Sequence, residues 1–291
     1  MVVSGYARPD YRVHEFFDGF YKLVKFKSSD RLAVSLHDHA QDEHYDEKLA
    51  PSYSRARSVV LQLALCNQWE YFFTGTIDEK LLHRDQLFPF LSRLVQWFRD
   101  LRKNGVPVQF LLVPEKHSDM KAWHVHGLLS GIPESELYPF VPGIHPPDLV
   151  EGGFLNWPAY AEKFGFCSLG RVRDRVGTAF YVTKYISKDL AARGNSGVRC
   201  RLYTSSRGLR RAVPFGDIYG SYSGLDAYLT HDYDFCRTGF VKCSWGDWLD
   251  YVDTGPDEIV ETVVVPDAPC EEWEQMVIAA FGRGEVPWLR E

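Results

Sequence analysis

The sequence predicts an α+β fold with a largely antiparallel sheet. Three observations carry this. An aromatic, Thr-rich strand segment precedes an amphipathic helix; two further strand segments follow, only five residues apart; and a second helix lies downstream. The size suits one large domain or two small ones: 291 residues, 45% apolar and 25% charged, enough to bury a sizeable core.

Taken in order, residues 1 to about 50 contain one alternating segment, Phe20 to Phe26, and then a His- and acid-rich loop. Gln68 to Asp78 (QWEYFFTGTID) is a strand by composition. Asp85 to Lys103 places Leu87, Phe90, Leu91, Leu94, Val95 and Phe98 at helical spacing. Pro89 belongs in the first turn of that helix, and Asn104-Gly105 ends it. Val106 to Glu115 and Lys121 to Leu129 read as the two strands of a hairpin, and Gly177 to Leu190 as a helix. The expected organisation is an N-terminal extension over 1–54, a catalytic domain over 55–245 and an acidic C-terminal region over 246–291.

Charge is unevenly spread. The net charge of −6 excludes a globally basic nucleic-acid binder but not a local basic surface. From Arg171 to Arg211 there are nine Arg and two Lys against two Asp, or +9; from Gly246 to Glu291 there are twelve acids against two Arg, or −10. The first stretch reads as a surface for a polyanion. Arg171, Arg173 and Arg175 alternate as on a strand edge facing phosphate, and Arg207, Arg210 and Arg211 extend the patch. The acidic segment either competes with DNA for this surface or packs through Trp245, Trp248, Tyr251 and Trp273. The six cysteines show no paired metal spacing, which fits reduced thiols in the cytosol. No apolar run is long enough to span a membrane, no secretory signal opens the chain, and no phosphate-loop motif is present.

The sharpest local feature is His124-Val125-His126. On a strand the two imidazoles share a face and can share a divalent ion, while Trp123, Val125 and Leu129 point to the other face. Glu115 ends the preceding strand, so a hairpin brings its carboxylate beside them. Glu115, His124 and His126 then form a three-donor open site for Mg²⁺ or Mn²⁺. His117 in the hairpin loop competes for the third position. A second pair, His37 and His39, reads as part of a solvated loop.

Tyr181, Lys184, Tyr185 and Lys188 fall on one helical stripe, opposite Ala179, Val182, Ile186 and Leu190. The expectation is an outward face of two phenols and two ammoniums over a buried apolar stripe; the competing reading makes the tyrosines half-buried packing groups. A phenol has an ordinary pKa near 10 and needs activation to attack phosphorus. A metal on the phosphate and a neighbouring ammonium both supply it.

With the HxH hairpin followed by YxxKY, the chain resembles the HUH endonucleases, and most of all their rolling-circle replication initiators. The paired tyrosines are similar to those of the gene A proteins of small single-stranded DNA phages. Tyr71 to Asp78 (YFFTGTID) resembles the family's first motif, with Gly75 where a bulkier residue is common. VPEKHSDMKAWHVHGLL and RLYTSSRGLR look like initiators of small phages and integrated plasmid-like elements. The resemblance covers about residues 55 to 212.

The resemblance implies a ferredoxin-like or RRM-like fold and a metal-dependent enzyme that nicks and rejoins one DNA strand at an origin through a 5′-phosphotyrosine. It implies that Glu115, His124 and His126 hold the metal, that Tyr181 and Tyr185 are nucleophiles supported by Lys184, and that Thr74, Thr76, Lys188 and the arginines above contact DNA or shape the site. The implied partners are single-stranded origin DNA in a hairpin, with a helicase and polymerase supplied in trans, in the cytoplasm of a bacterial host. Transposases and relaxases share this chemistry, and a non-catalytic nucleic-acid module or a metallohydrolase using only Glu115, His124 and His126 are the readings from other classes.

Overall fold

Alternating apolar and polar side chains build two antiparallel sheets, one in each of two compact units: residues 1–43 with 211–267, and residues 44–210 with 268–291. The computed structural model describes residues 9–17, 19–27, 45–116, 122–193, 202–218, 223–232, 236–242 and 261–263. The elements run β1 (Tyr11–Phe17), β2 (Phe20–Phe26), α1 (Tyr45–Leu65), β3 (Tyr71–Thr76), α2 (Leu87–Lys103), β4 (Gln109–Lys116), β5 (Trp123–Ser130), β6 (Tyr138–Pro139), α3 (Pro147–Glu151), β7 (Leu155–Asn156), α4 (Pro158–Ala161) and β8 (Cys167–Arg171). They continue with α5 (Arg175–Arg193), β9 (Thr204–Ser205), β10 (Val213–Ile218), α6 (Ser223–Asp226), β11 (His231–Asp232), β12 (Cys236–Lys242) and β13 (Glu261–Val263). The architecture is α+β, consistent with a ferredoxin-like arrangement.

The larger unit has the sheet order β6-β7-β8-β3-β5-β4-β9, with every neighbour antiparallel. Its two faces are covered by different helices. On one, α2 buries Leu87, Phe90, Leu91, Leu94 and Phe98 against Phe73, Phe110, Val125 and Leu129. Each such side chain contributes about 1.5–3 kcal/mol on leaving water. Trp123, Val125 and Leu129 lie in this core, on the face expected of them. Pro89 is the third residue of α2, inside its first turn. At its other end Gly105 adopts φ +89°, its N–H bonds the Arg102 carbonyl at 3.2 Å, and Val106 bonds Leu101 at 3.0 Å. This pair of bonds closes the helix, and its left-handed residue suits glycine.

The opposite face carries α5, with α1 alongside it. Asp174 caps α5: its carboxylate accepts from the Val176 and Gly177 N–H groups, both at 2.9 Å. Between β5 and β8 the chain makes short elements that the sequence analysis did not resolve. Trp157, Tyr160 and Phe164 from this excursion enter the α2-side core.

The smaller unit has the order β10-β1-β2-β12-β11, with β13 also on β12. β2 spans the alternating segment read from the sequence. Its partner β1 and the strands beyond residue 210 were not anticipated. Tyr11, Val13, Tyr21 and Leu23 form its core with Leu225, Tyr228, Leu229 and Val241.

Candidate active site

Strand register assembles the site. Across β5, His126 lies opposite Thr74 on β3 and Val113 on β4; His124 lies opposite Thr76 and Glu115. Paired residues share a face, so two hydroxyls, two imidazoles and a carboxylate gather on the α5 side. His126 is buried, and its Nε2 lies 2.8 Å from Glu115 Oε2. Its Nδ1 lies 3.2 Å from the Thr74 hydroxyl. An ionised carboxylate only accepts, so in a neutral ring Nε2 carries the hydrogen and Nδ1 accepts from Thr74. The His124 and His126 rings are 6.4 Å apart at 23°.

From α5, Tyr185 lies flat on His126, and its hydroxyl donates to the Tyr181 hydroxyl at 2.7 Å. Phe72, two residues before Thr74, packs against both phenol rings at 5.2 and 6.4 Å. The expected outward stripe is therefore corrected. Tyr181 is 1% exposed, Tyr185 3% and Lys184 8%, and the apolar Ala179, Val182 and Ile186 are buried as well. The helix is buried all round here because α1 covers one side and the sheet the other, and the sheet face beneath is itself polar. Phenol, imidazole and carboxylate satisfy one another, so water is not needed to solvate them. Lys188's side chain lies outside the described residues.

Burial pushes both phenols well above their ordinary range. For Tyr181 the hydrogen bond from Tyr185 works against this, while the Glu115 charge adds to it. For Tyr185 the neighbouring Tyr181 and the Glu115 charge both add to the effect of burial. As they stand, the tyrosines are neutral donors and acceptors, not phenolates.

A carboxylate and two imidazoles on one face suit a hard or borderline divalent ion in kind. In position, Glu115 and His126 already meet, whereas no three His, Cys, Asp or Glu groups gather as a metal-holding cluster among the described residues. His117 and the His37–His39 pair lie outside the described residues.

The other predicted residues are dispersed. Thr76 donates from its hydroxyl to the Phe166 carbonyl at 2.8 Å, tying β3 to the start of β8. Arg171 does not face the site. It ends β8 opposite Tyr71, five residues or roughly 17 Å along the strand from Thr76. It ion-pairs with Glu134 at 2.9 Å and lies over the Tyr71 ring. The strand alternation expected of Arg171, Arg173 and Arg175 is also corrected. β8 stops at Arg171, Arg173 is in the connection and Arg175 opens α5, because Asp174 caps the helix there. Arg207 and Arg210 are exposed, with the Arg210 backbone held by Asn67 through bonds of 2.9 Å in both directions. Arg211 begins the other unit.

Sequence reasoning missed Phe72 and Asp174. Phe72 was legible as the period-two neighbour of Thr74, and Asp174 as a cap residue just before a helix.

Gly75 departs from the bulkier residue common in its motif, and the packing explains it. A Cβ there would stand 2.5 Å from the Tyr160 hydroxyl and 2.6 Å from the Phe73 ring. Tyr160 fills that space and donates to the Thr76 carbonyl at 3.1 Å.

No helix among the described residues is long and apolar enough to cross a membrane. No curated protein and no solved structure matches the chain significantly. The segment that carries Thr74, Glu115, His124, His126, Tyr181 and Tyr185, residues 70–190, matches the family of replication-associated proteins of the ORF2 type.

Proposed function

We propose that this protein initiates replication by cutting and rejoining single-stranded DNA at an origin, with Tyr181 and Tyr185 as nucleophiles. The observation that carries the reading is the continuous chain Tyr181–Tyr185–His126–Glu115, built on two strands and one helix inside the segment similar to replication-associated proteins. A phenol oxygen attacks the scissile phosphorus and gives up its proton. The bond from phosphorus to the 3′ oxygen breaks, and that oxygen takes up a proton to leave as a 3′-hydroxyl. The 5′ end stays on the protein as a phosphotyrosine. Because the exchange conserves the phosphodiester, the reverse attack by a 3′-hydroxyl rejoins a strand without an external energy source.

Two tyrosines give the reaction a second turn. One holds the 5′ end while the other cuts the regenerated origin, and their hydrogen bond places both oxygens within 2.7 Å of one point. Glu115, His124 and His126 would hold a Mg²⁺ or Mn²⁺ ion, which supplies Lewis-acid polarisation of the phosphate when bound. Lys184, buried on the same helix, supplies positive charge to the nucleophile pair. A polymerase extends the 3′-hydroxyl and a helicase unwinds the duplex, both in trans.

The test is to incubate the protein with single-stranded origin DNA and Mn²⁺ and look for a protein–DNA adduct on a denaturing gel. The wild type forms one. Single Tyr181→Phe and Tyr185→Phe variants retain part of it or move its attachment point. The double variant forms none, and an adduct that persists in it overturns the assignment.

A further inference from the structure

On the sheet face away from Glu115 and His126, α2 and the Thr204–Arg207 segment enclose a groove of about 1220 Å³. Its chemistry is graded along the helix. At the N-terminal end Phe88, Leu91 and Val95 line it; at the C-terminal end Arg99, Arg102 and Lys103 do, joined from across the groove by Arg207. These residues recur every three or four positions, so they form one stripe beside the stripe that α2 buries in the core. All four cations are exposed, and no Asp or Glu lines the groove. Asp100, the nearest acid along the helix, lies 3.8 Å from Lys103 with both groups exposed, a distance and exposure that leave little net attraction.

Phe88 is the second observation. It is 76% exposed, while Leu87, Phe90 and Leu91 around it are buried. An aromatic ring standing in solvent beside a row of cations matches the two needs of an unpaired nucleic-acid strand: a surface for a base and charge for phosphates. Thr204, Ser205 and Ser206 form the opposite wall, short side chains that leave the groove open to a backbone. Ser206 is held in place: its N–H donates to the Phe110 carbonyl at 2.9 Å and its hydroxyl accepts from the Phe110 N–H at 3.0 Å. The wall is therefore fixed to β4, the strand that also carries Glu115.

We propose that this groove is a second binding site for single-stranded DNA, distinct from the tyrosine site, in which Arg99, Arg102, Lys103 and Arg207 contact phosphates and Phe88 stacks on a base. The proposal takes its ligand class from the function proposed above, but strand binding here needs neither tyrosine nor metal.

The experiment measures binding of fluorescein-labelled oligo(dT) to the full chain by anisotropy, in EDTA, across a salt series. Each phosphate contact on a single strand adds about 0.7 to the slope of log affinity against log salt. Arg102→Ala/Arg207→Ala should therefore lower that slope by about 1.4. Phe88→Ala should weaken binding about 5- to 150-fold, the range for one stacked base, and leave the slope unchanged. Unchanged affinity and slope in both variants overturn the proposal. So does a lowered melting temperature with binding intact, which would assign Arg102 and Lys103 only to the C-terminal dipole of α2. Duplex DNA bound as tightly, and weakened equally by both variants, overturns the single-strand assignment. Since EDTA separates binding from cutting, an absent adduct in the wild type would sink the cleavage reading and leave this result standing.

Discussion

Tyr185 stacks on His126 with ring centroids 3.9 Å apart and planes 10° from parallel, while its hydroxyl reaches Tyr181 at 2.7 Å. One side chain thus joins α5 to the central strand of the sheet and to the second phenol. The ring and the hydroxyl have separable roles. Tyr185→Phe keeps the stack and loses one buried hydrogen bond, at a cost of about 1 kcal/mol. Tyr185→Ala removes the ring and opens a cavity, at about 3–5 kcal/mol. Urea unfolding monitored by circular dichroism measures both. Equal losses would show that the hydroxyl, not the stack, holds α5 on the sheet.

The Gly75–Tyr160 relationship gives a test of packing behind the site. Gly75→Ala forces its Cβ against the Tyr160 hydroxyl and the Phe73 ring and should cost about 1–3 kcal/mol. Adding Tyr160→Phe removes the nearest obstacle, although it also gives up the bond to the Thr76 carbonyl. The two changes should be non-additive, with the double variant less destabilised than the sum of the singles. Strict additivity would mean that Phe73, not Tyr160, sets the limit at Gly75.

The central elements were legible because periodicity and register are local. α2 announced itself through its apolar spacing, and β4 and β5 through their runs and short link, which was enough to place Glu115 beside His124. The burial of Tyr181 and Tyr185 was not legible. A stripe of Tyr and Lys reads as solvent-facing unless the covering surface is known, and here that surface is polar. α1 was readable in principle, since Tyr53, Ala56, Val60, Leu63 and Ala64 keep helical spacing in the buried set, but Pro51 and the acidic approach obscured it. The sheet of the smaller unit joins β1 and β2 to strands beyond residue 210, a pairing that no local pattern reveals.

That smaller unit carries its own pH test. Lys25 Nζ lies 2.6 Å from Asp226 Oδ2, and the Tyr11 hydroxyl donates to Oδ1 at 2.8 Å. Burial alone would raise the Asp226 carboxyl, but the hydrogen bonds from Lys25 and Tyr11 hold it below its ordinary value. Burial likewise opposes the Lys25 ammonium, but the bond to Asp226 leaves it above its ordinary value. The depressed carboxyl contributes stability above its unfolded value of 3.8, lost as pH falls through the folded value. The raised ammonium contributes below 10.5, lost as pH rises through its folded value. Asp226→Asn should therefore cost about 1 kcal/mol across neutral pH, a figure reduced for partial exposure. The gap to wild type should close below about pH 4. A gap that stays constant into acid would exclude the carboxylate as its source.

The last prediction concerns the ion that Glu115, His124 and His126 would hold. Its readout is binding, so it does not depend on strand cleavage. Glu115 and His126 are bonded to each other, and that contact must be exchanged for the ion, while His124 has to supply the third donor. Losing the carboxylate removes the only anionic ligand, so Glu115→Ala should weaken Mn²⁺ binding most, and His124→Ala and His126→Ala less. Mn²⁺ electron paramagnetic resonance counts the bound ion directly. The same binding stabilises the fold, by about 2.7 kcal/mol at a free Mn²⁺ concentration of 100 Kd, so the wild type should melt higher in Mn²⁺ than in EDTA. Tyr181→Phe/Tyr185→Phe should keep both the bound ion and the melting shift, because neither phenol is a ligand. Full-strength Mn²⁺ binding in Glu115→Ala would remove this residue from the ligand set and leave its contact with His126 as a structural bond between β4 and β5.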